Sequence, residues 1–158
     1  MLLASDEWAQ AHNLPVQAYL RYGKVAAIDF LDKCPDGLLL APAYAVSDML
    51  NDAGLGLQDF DFYEIHEAFA AQTLATLKAW ESKEFCHKEL GRSDALGSID
   101  RSKLNVKGGS LAMGHPFAAT GGRIIASLAK IIHENGGGRG LISVCTAGGM
   151  GVTAIVEG

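Results

Sequence analysis

The sequence predicts an α/β fold in which helices and strands form layers. Strand-like and helix-like segments follow one another in the order β-α-β-α-α-β-β, the pattern of a layered α/β domain. Of 158 residues, 49% are hydrophobic, which is enough for a buried core without disulfides or a metal. The sequence contains no repeat and no convincing internal boundary, so we interpret residues 1–158 as one domain.

In the first half of the chain, the element ends are marked by capping residues. Ser5 suits a helix N-cap, and Gly54 stands where a left-handed residue ends a helix. The predicted elements are a short strand (Met1–Ala4), a helix (Ser5–His12), one bent strand or two strands broken near Gly23 (Val16–Phe30), a loop (Asp32–Gly37) and a helix (Pro42–Ala53).

In the second half, glycines separate the segments. Gly136, Gly137 and Gly138 end a helix, and a glycine turn joins the last two strands as a hairpin. The predicted elements are a buried strand (Asp59–Ile65), a helix (Ala68–Trp80), a polar helix and loop region (Glu81–Lys103), a helix (Pro116–Glu134) and two strands (Gly140–Cys145 and Met150–Val156).

Composition excludes several classes of protein. A net charge of −5 and a pI near 5.4 argue against a nucleic-acid partner, which favours a basic stripe. The apolar stretches are too short to cross a bilayer, and the N-terminus lacks the features of a secretory signal. Three cysteines form no CxxC pair, which favours a reducing compartment. We therefore expect a soluble intracellular protein with no membrane span.

The first of three informative motifs is His66-Glu67-Ala68-Phe69, where a predicted strand leads into a helix. Side chains at such junctions meet at the mouth of an α/β sheet, and helix N-termini supply free N–H groups. A single histidine after a strand is more often structural than catalytic. In that interpretation Glu67 would only favour the helix N-terminus.

The second motif is Gly108-Gly109-Ser110-Leu111-Ala112-Met113-Gly114-His115-Pro116. Its glycines let the backbone pass close to another group, and Pro116 suits the first helical position, which places His115 near the N-cap. A dinucleotide-binding loop is one alternative, but the GxGxxG spacing is absent. Close packing of a glycine-rich helix against a neighbour is another.

The third motif, Cys145-Thr146-Ala147-Gly148-Gly149, follows a predicted strand. Buried cysteines at strand ends are common and mostly inert. The turn beyond Cys145 favours a functional interpretation, because successive small residues can point main-chain N–H groups at one oxygen. An oxyanion hole requires that geometry.

Together and in this order, the three motifs resemble those in the C-terminal half of thiolases, the acyl-CoA acetyltransferases. With histidine at position 66, the first motif most resembles that of the thiolases that partner the multifunctional β-oxidation subunit. Ala118 and Ala147 replace glycines that many members of the family have. The resemblance implies one half of the layered thiolase fold, a mixed five-stranded sheet with helices on both faces. Residues 1–15 are a candidate for the tail end of the N-terminal domain.

The resemblance also implies catalytic roles for three residues. His115 would help to deprotonate a nucleophilic cysteine and to bind a thioester oxygen, and His66 would complete the first oxyanion site. Cys145 would move the proton at the α-carbon of the acetyl unit, with its pKa lowered by a neighbour such as His115.

The same resemblance implies a substrate-binding set. The main-chain N–H of Ala147 would contribute to a second oxyanion site, while Ala68 and Phe69 would line the pantetheine or acyl pocket. Neither a metal nor a cofactor is expected, since coenzyme A is a substrate of this family.

The nucleophilic cysteine itself is not recognisable. Cys34 and Cys86 stand in contexts that do not match the family's nucleophile, and Cys86 with His87 is interpreted as a surface pair rather than a metal or redox site. We therefore expect the chain alone to be inactive and to need the missing N-terminal half. The other expected partners are acyl-CoA, a second copy in a homo-oligomer and the β-oxidation multifunctional subunit, in the cytoplasm or, in a eukaryote, the mitochondrion.

Two alternatives to an enzyme half of this kind remain. A non-catalytic interaction or dimerisation module would retain the fold without the nucleophile. A ketoacyl synthase half would carry a second histidine in place of the acid/base cysteine, and Cys145 argues against it.

Overall fold

The computed structural model describes residues 1–31 and 37–158. The predicted loop Asp32–Gly37, apart from Gly37, and the thiol of Cys34 lie outside the described residues. The helices are α1 (Asp6–Ala11), α2 (Ala41–Ala53), α3 (Ala70–Glu81), α4 (Lys83–Lys88), α5 (Ser110–Met113) and α6 (Thr120–Asn135), with a 3₁₀ turn at Arg101–Lys103. The strands are β1 (Tyr19–Ala27), β2 (Phe62–Ile65), β3 (Arg139–Thr146) and β4 (Met150–Glu157).

The strands form one mixed sheet in the order β1-β4-β3-β2. Strand β2 runs parallel to β3, whereas β4 is antiparallel to both of its neighbours. Helix α2 packs on one face of the sheet and α6 on the other. The predicted α/β class, with a mixed sheet between helices, is confirmed.

The predicted number of five strands is wrong for the described residues, which form a four-stranded sheet. On the side of β2 that does not pair with β3, the described chain makes one isolated parallel bridge, between Tyr63 and Leu104. The following residue, Asn105, has a φ of 48°, which turns the chain away from the extended conformation that a strand requires.

Alternating side chains of the central strands divide the core into two clusters. Leu141 of β3 faces the cluster that contains Trp80 of α3, whereas its neighbour Ile142 packs with Leu128 of α6. This alternation follows from the period of two along a strand. It explains why both faces of the sheet must be covered.

Gly151 of β4 allows a close approach between the sheet and α2. A Cβ atom on Gly151 would lie 2.5 Å from the backbone nitrogen of Pro42, at the first turn of α2. Gly151 pairs with Cys145 in the β3–β4 ladder. The beginning of α2 therefore lies against the end of the sheet that carries Cys145.

Most predicted ends in the first half are confirmed. The Ser5 hydroxyl caps α1 by accepting a hydrogen bond from the Trp8 N–H at 3.3 Å, and α2 ends at Gly54 with a φ of 66°. Residues Met1–Ala4, in contrast, form no strand. They line an open cavity of about 800 Å³ beside α6 together with residues 14–21.

Two predicted strands have different bounds in the structure. The segment Val16–Phe30 contains one strand, with its irregularity between Leu20 and Tyr22 rather than near Gly23. The strand predicted from Asp59 begins only at Phe62, because the preceding acidic residues form turns. Asp59 accepts from the Gly56 N–H at 2.8 Å, and Asp61 accepts from the Arg139 N–H at 2.9 Å.

Both helices that follow the first two motifs begin later than predicted. Helix α3 begins at Ala70 because Phe69 is extended, which leaves Ala68 outside the helix. Helix α6 begins at Thr120 rather than Pro116, because Ala118 has a φ of 63° and interrupts any helix begun before it. His115 therefore lies five residues before α6 and not at its N-cap.

Candidate active site

His66 is held in place by its backbone as well as its ring. Its N–H donates to the Ser143 carbonyl at 2.8 Å, which extends the pairing of β2 with β3 by one residue. The Asn105 side chain binds the backbone of the preceding residue, Ile65. With 2% of its surface exposed, His66 is fixed at the carboxyl end of β2.

His115 contacts His66 from the segment between α5 and α6. The two ring centroids are 4.3 Å apart and the ring planes are inclined by 46°. The Phe117 ring contacts His115 edge-on, with 4.9 Å between centroids. The first two motifs therefore meet through their histidines, although 48 positions of sequence separate them.

Cys145 joins the third motif to the first. It is buried near the end of β3, and the Ala68 N–H faces its sulfur as a hydrogen-bond donor. Burial raises the pKa of the Cys145 thiol, and the hydrogen bonds from the backbone of Cys145 and Ala68 offset only part of that rise. The expected lowering of this pKa by His115 is wrong, because desolvation dominates and His115 is not among its causes.

The surroundings of His66 favour the neutral imidazole. Burial lowers its pKa, and the nearby His115 and Arg123 lower it further, while Glu67 acts in the opposite direction. A buried cation so close to another positive group would be unfavourable. His66 therefore acts as a neutral hydrogen-bonding group at neutral pH.

A buried carboxyl group precedes His66 on β2. Glu64 of β2 is 4% exposed, and burial raises its pKa to about 7, with Arg123 lowering it and Glu67 raising it. This residue was not among the candidates predicted from the sequence. Its position within an otherwise apolar strand, two residues before His66, was the available signal.

Glu67 connects the first motif to the second. Its carboxylate accepts a hydrogen bond from the Leu111 N–H at 3.1 Å. A Cβ atom at position 109 would lie 2.2 Å from that carboxylate, so the Glu67 contact requires glycine there. One role of the paired glycines in the second motif is thus close packing against Glu67.

Three polar residues to which no role was given from the sequence hold the two imidazoles. Ser110 Oγ lies 2.8 Å from His66 Nδ1 and accepts from Arg123 Nη2 at 2.9 Å. Thr120 Oγ1 lies 2.7 Å from His115 Nδ1. Ser110 and Thr120 stand at equal distances in sequence before and after His115, a spacing that could have drawn attention to them.

The residues expected to bind substrate lie around the same end of the sheet. Ala147 is exposed in the β3–β4 turn, where Gly148 and Gly149 have φ values of 87° and 73°. Ala68 is half-buried, and Phe69 is 64% exposed. Further exposed apolar side chains on the second motif and its continuation are Leu111, Met113 and Phe117.

The chain is similar to known proteins over nearly its whole length. Residues 16–158 match the thiolase C-terminal domain. The chain is 46% identical over 157 residues to 3-ketoacyl-CoA thiolases of Yersinia pestis and Yersinia pseudotuberculosis, covering 99% of this chain and 35% of each relative. The crystal structure of human mitochondrial 3-ketoacyl-CoA thiolase aligns over 98% of this chain and 33% of its own, with a TM-score of 0.77 and 32% identity.

A second solved structure bears on the architecture. The peroxisomal 3-ketoacyl-CoA thiolase of Saccharomyces cerevisiae aligns over 95% of this chain and 37% of its own, with a TM-score of 0.72 and 34% identity. That protein is described as a five-layered α-β-α-β-α structure built from two core domains of identical topology.

The chain belongs to the thiolase family and contains its C-terminal domain. It spans about a third of the length of the curated relatives it matches. Within residues 1–31 and 37–158, no helix is long and apolar enough to cross a membrane. In the same ranges, histidine, cysteine and acidic side chains do not form a group of three that could hold a metal ion.

Proposed function

We propose that this chain supplies the acid/base and oxyanion groups of a 3-ketoacyl-CoA thiolase, an acyltransferase of fatty acid β-oxidation. The observation that carries the proposal is the contact of His66 with His115, at the same end of the sheet where the Ala68 N–H meets Cys145. The relatives at 46% identity are 3-ketoacyl-CoA thiolases, and human mitochondrial 3-ketoacyl-CoA thiolase has been crystallised with coenzyme A.

In the proposed reaction, a cysteine thiolate attacks the 3-keto carbon and the bond between C2 and C3 breaks. The electron pair of that bond passes to the acetyl-CoA fragment, which takes a proton at its α-carbon. Cys145 donates this proton, and its raised pKa supports the assignment because the thiol stays protonated at neutral pH. Coenzyme A then removes the acyl group from the attacking sulfur.

The two histidines serve different steps in this proposal. His115 accepts the proton of the attacking thiol, since an imidazole is the side chain best matched to that task near neutrality. His66, held neutral, donates a hydrogen bond to the oxygen that becomes negative. The Ala147 N–H in the β3–β4 turn serves the thioester oxygen of the acetyl unit.

The attacking cysteine is proposed to come from residues outside 1–158, in the part of the relatives that this chain does not match. Exposed apolar residues support an additional covering partner. Val25 of β1 is 71% exposed, and the neighbouring Val152 of β4 is 43% exposed. Apolar surface of this kind is common at protein interfaces. The rest of a thiolase, a second copy of the chain and the multifunctional β-oxidation subunit are the proposed partners.

The test is to produce the chain together with the N-terminal portion of a 3-ketoacyl-CoA thiolase relative and to measure acetyl-CoA formation from 3-ketoacyl-CoA and coenzyme A. We expect turnover from the purified complex and none from either part alone. Cys145→Ala and His115→Ala should each lower kcat by about 100-fold or more, the usual contribution of a general acid or base. His133→Gln, on the exposed part of α6, is the matched control and should have little effect.

Two results would contradict the proposal. Turnover by the 158-residue chain alone would show that the attacking thiol lies within it. A stable, folded complex without turnover would instead favour the non-catalytic interaction module.

A further inference from the structure

Two hydroxyl groups, one beside each histidine, differ in their second hydrogen-bond partner. Thr120 Oγ1 lies 3.1 Å from the Pro116 carbonyl oxygen, which can only accept. This is the common contact of a helical threonine hydroxyl with the carbonyl four residues earlier. The Pro116 carbonyl also accepts from the N–H groups of Ala119 and Thr120, each at 3.1 Å, so the Thr120 hydrogen has two candidate acceptors, Pro116 and an unprotonated His115 Nδ1. With the hydrogen on the Pro116 side, the Thr120 oxygen accepts from a protonated His115 Nδ1 at 2.7 Å.

Ser110 has the opposite arrangement. Arg123 can only donate, so its Nη2 occupies one lone pair of the Ser110 oxygen at 2.9 Å. Among the described residues the Ser110 hydroxyl has only one other hydrogen-bond partner, His66 Nδ1 at 2.8 Å. If His66 donated here, the hydrogen of a hydroxyl in a residue only 6% exposed would have no acceptor, which is unfavourable. Ser110 therefore donates to an unprotonated Nδ1.

We infer that Ser110 and Thr120 are positioning residues that hold the two neighbouring imidazoles in opposite neutral tautomers. His66 carries its proton on Nε2, and His115 carries its proton on Nδ1. Arg123 completes the arrangement, because its donation directs the Ser110 hydrogen toward His66. Neither tautomer can be read from the sequence, since the residues responsible come from α5 and α6.

The catalytic role of each tautomer rests on the proposed function, in which each ring serves one step of the reaction. A ring with Nε2–H can donate to a developing oxyanion but cannot take a proton at that atom. A ring with a free Nε2 lone pair can take the proton of a thiol but cannot donate from that atom. The contacts thus make His66 the donor and His115 the base, with their rings 4.3 Å apart.

The test is nuclear magnetic resonance of the ¹⁵N-labelled 158-residue chain, at a pH where the imidazoles are neutral. Long-range correlations between ring C–H protons and nitrogens separate protonated from unprotonated nitrogens. His66→Asn and His115→Asn assign the two rings by loss of their signals. We expect Nε2–H for His66 and Nδ1–H for His115. The same tautomer in both rings, or a reversed pair, would overturn the inference.

Matched variants connect each tautomer to its hydroxyl. Thr120→Val and Ser110→Ala should each change the tautomer ratio of the adjacent ring about fivefold, the effect of one net hydrogen bond. Thr120→Ser and Ser110→Thr keep the hydroxyl and should keep the wild-type tautomer. A backbone amide spectrum as dispersed as that of the wild type will verify that a variant is folded, and in a folded variant an unchanged ratio would contradict the inference.

These results are separable from the proposed function, because the spectra do not depend on turnover. If the two rings have opposite tautomers but the complex with the N-terminal portion is inactive, only the proposed function is refuted. Turnover with identical tautomers would refute the inference alone.

Discussion

The side-chain amide of Asn105 makes both hydrogen bonds that a neighbouring strand would make to Ile65. Its Oδ1 accepts from the Ile65 N–H at 2.9 Å, and its Nδ2 donates to the Ile65 carbonyl at 3.0 Å. Asn105 thus replaces a fifth strand at the one position that directly precedes His66. It also has a φ of 48°, a left-handed conformation that asparagine tolerates better than most residues.

Two substitutions of Asn105 should separate its side-chain bonds from its backbone conformation. Asn105→Gly keeps the conformation and loses both bonds, which should cost about 1–3 kcal/mol of unfolding free energy. Asn105→Ala should cost about 1 kcal/mol more, because a Cβ atom disfavours the left-handed region. Urea denaturation followed by circular dichroism measures both. An alanine variant as stable as the glycine variant would contradict this explanation.

Glu64 should make the stability of the fold depend on pH. Burial raises its pKa from 4.5 to about 7, so the folded state binds the proton more tightly than the unfolded state. Its contribution is therefore fully present below pH 4.5 and is lost as the pH rises to about 7, by up to about 3 kcal/mol. Glu64→Gln should remove this loss, so the variant should exceed the wild type in stability at pH 8 and equal it near pH 4.5.

The matched control for Glu64 is Glu134→Gln on the exposed end of α6. Glu134 forms an exposed ion pair with Lys130 at 3.3 Å, which contributes little to stability. Denaturation midpoints of both variants across this pH range measure the effect. If Glu64→Gln retained the wild-type pH dependence, the buried carboxyl could not be its source.

Cys145 should be alkylated slowly at neutral pH, and its alkylation rate should rise only at high pH. Its burial raises the pKa of the thiol, and only the thiolate reacts. Iodoacetamide labelling of the folded chain, read by mass spectrometry of the Cys145 peptide, should have a midpoint above about 8.5, the pKa of a free thiol. The same peptide in the urea-unfolded chain should show the ordinary midpoint.

A His115→Gln variant tests whether His115 activates the Cys145 thiol. Because His115 does not contribute to the pKa shift of Cys145, the labelling midpoint should stay unchanged. A folded midpoint below about 8.5 that rises in His115→Gln would restore an activating role for the imidazole.

Local chemistry made the ends of several elements predictable. Gly54 ends α2, and Gly136, with a φ of 81°, ends α6, because both need the left-handed conformation that glycine adopts most readily. The two strands joined by a glycine turn were equally predictable, and they are β3 and β4. The first and third motifs were also placed at the ends of strands, which is where the structure has them, whereas His115 of the second motif lies five residues before α6.

Elements whose form depends on distant residues were not predictable. Pro116 suits the beginning of a helix, but the left-handed Ala118 delays α6, and alanine gives no sign of that conformation. The direction of the pKa shift of Cys145 depends on how deeply its side chain is buried near the end of β3, which no local pattern reports. The hydroxyl contacts of His66 and His115 likewise arise only when α5 and α6 pack over β2.

Strand β1 forms an outer edge of the sheet, and two of its side chains, Leu20 and Tyr22, are 51% and 45% exposed. Such an edge is a template on which further chains can add as strands, the first step toward fibrous aggregates. Arg21 and Lys24 place charged groups along this edge, where they pair with Glu157 and Asp52. Charged side chains on an edge strand oppose the addition of further strands. Mutations that neutralise these two basic residues should therefore lower the yield of soluble protein before they change any catalytic property.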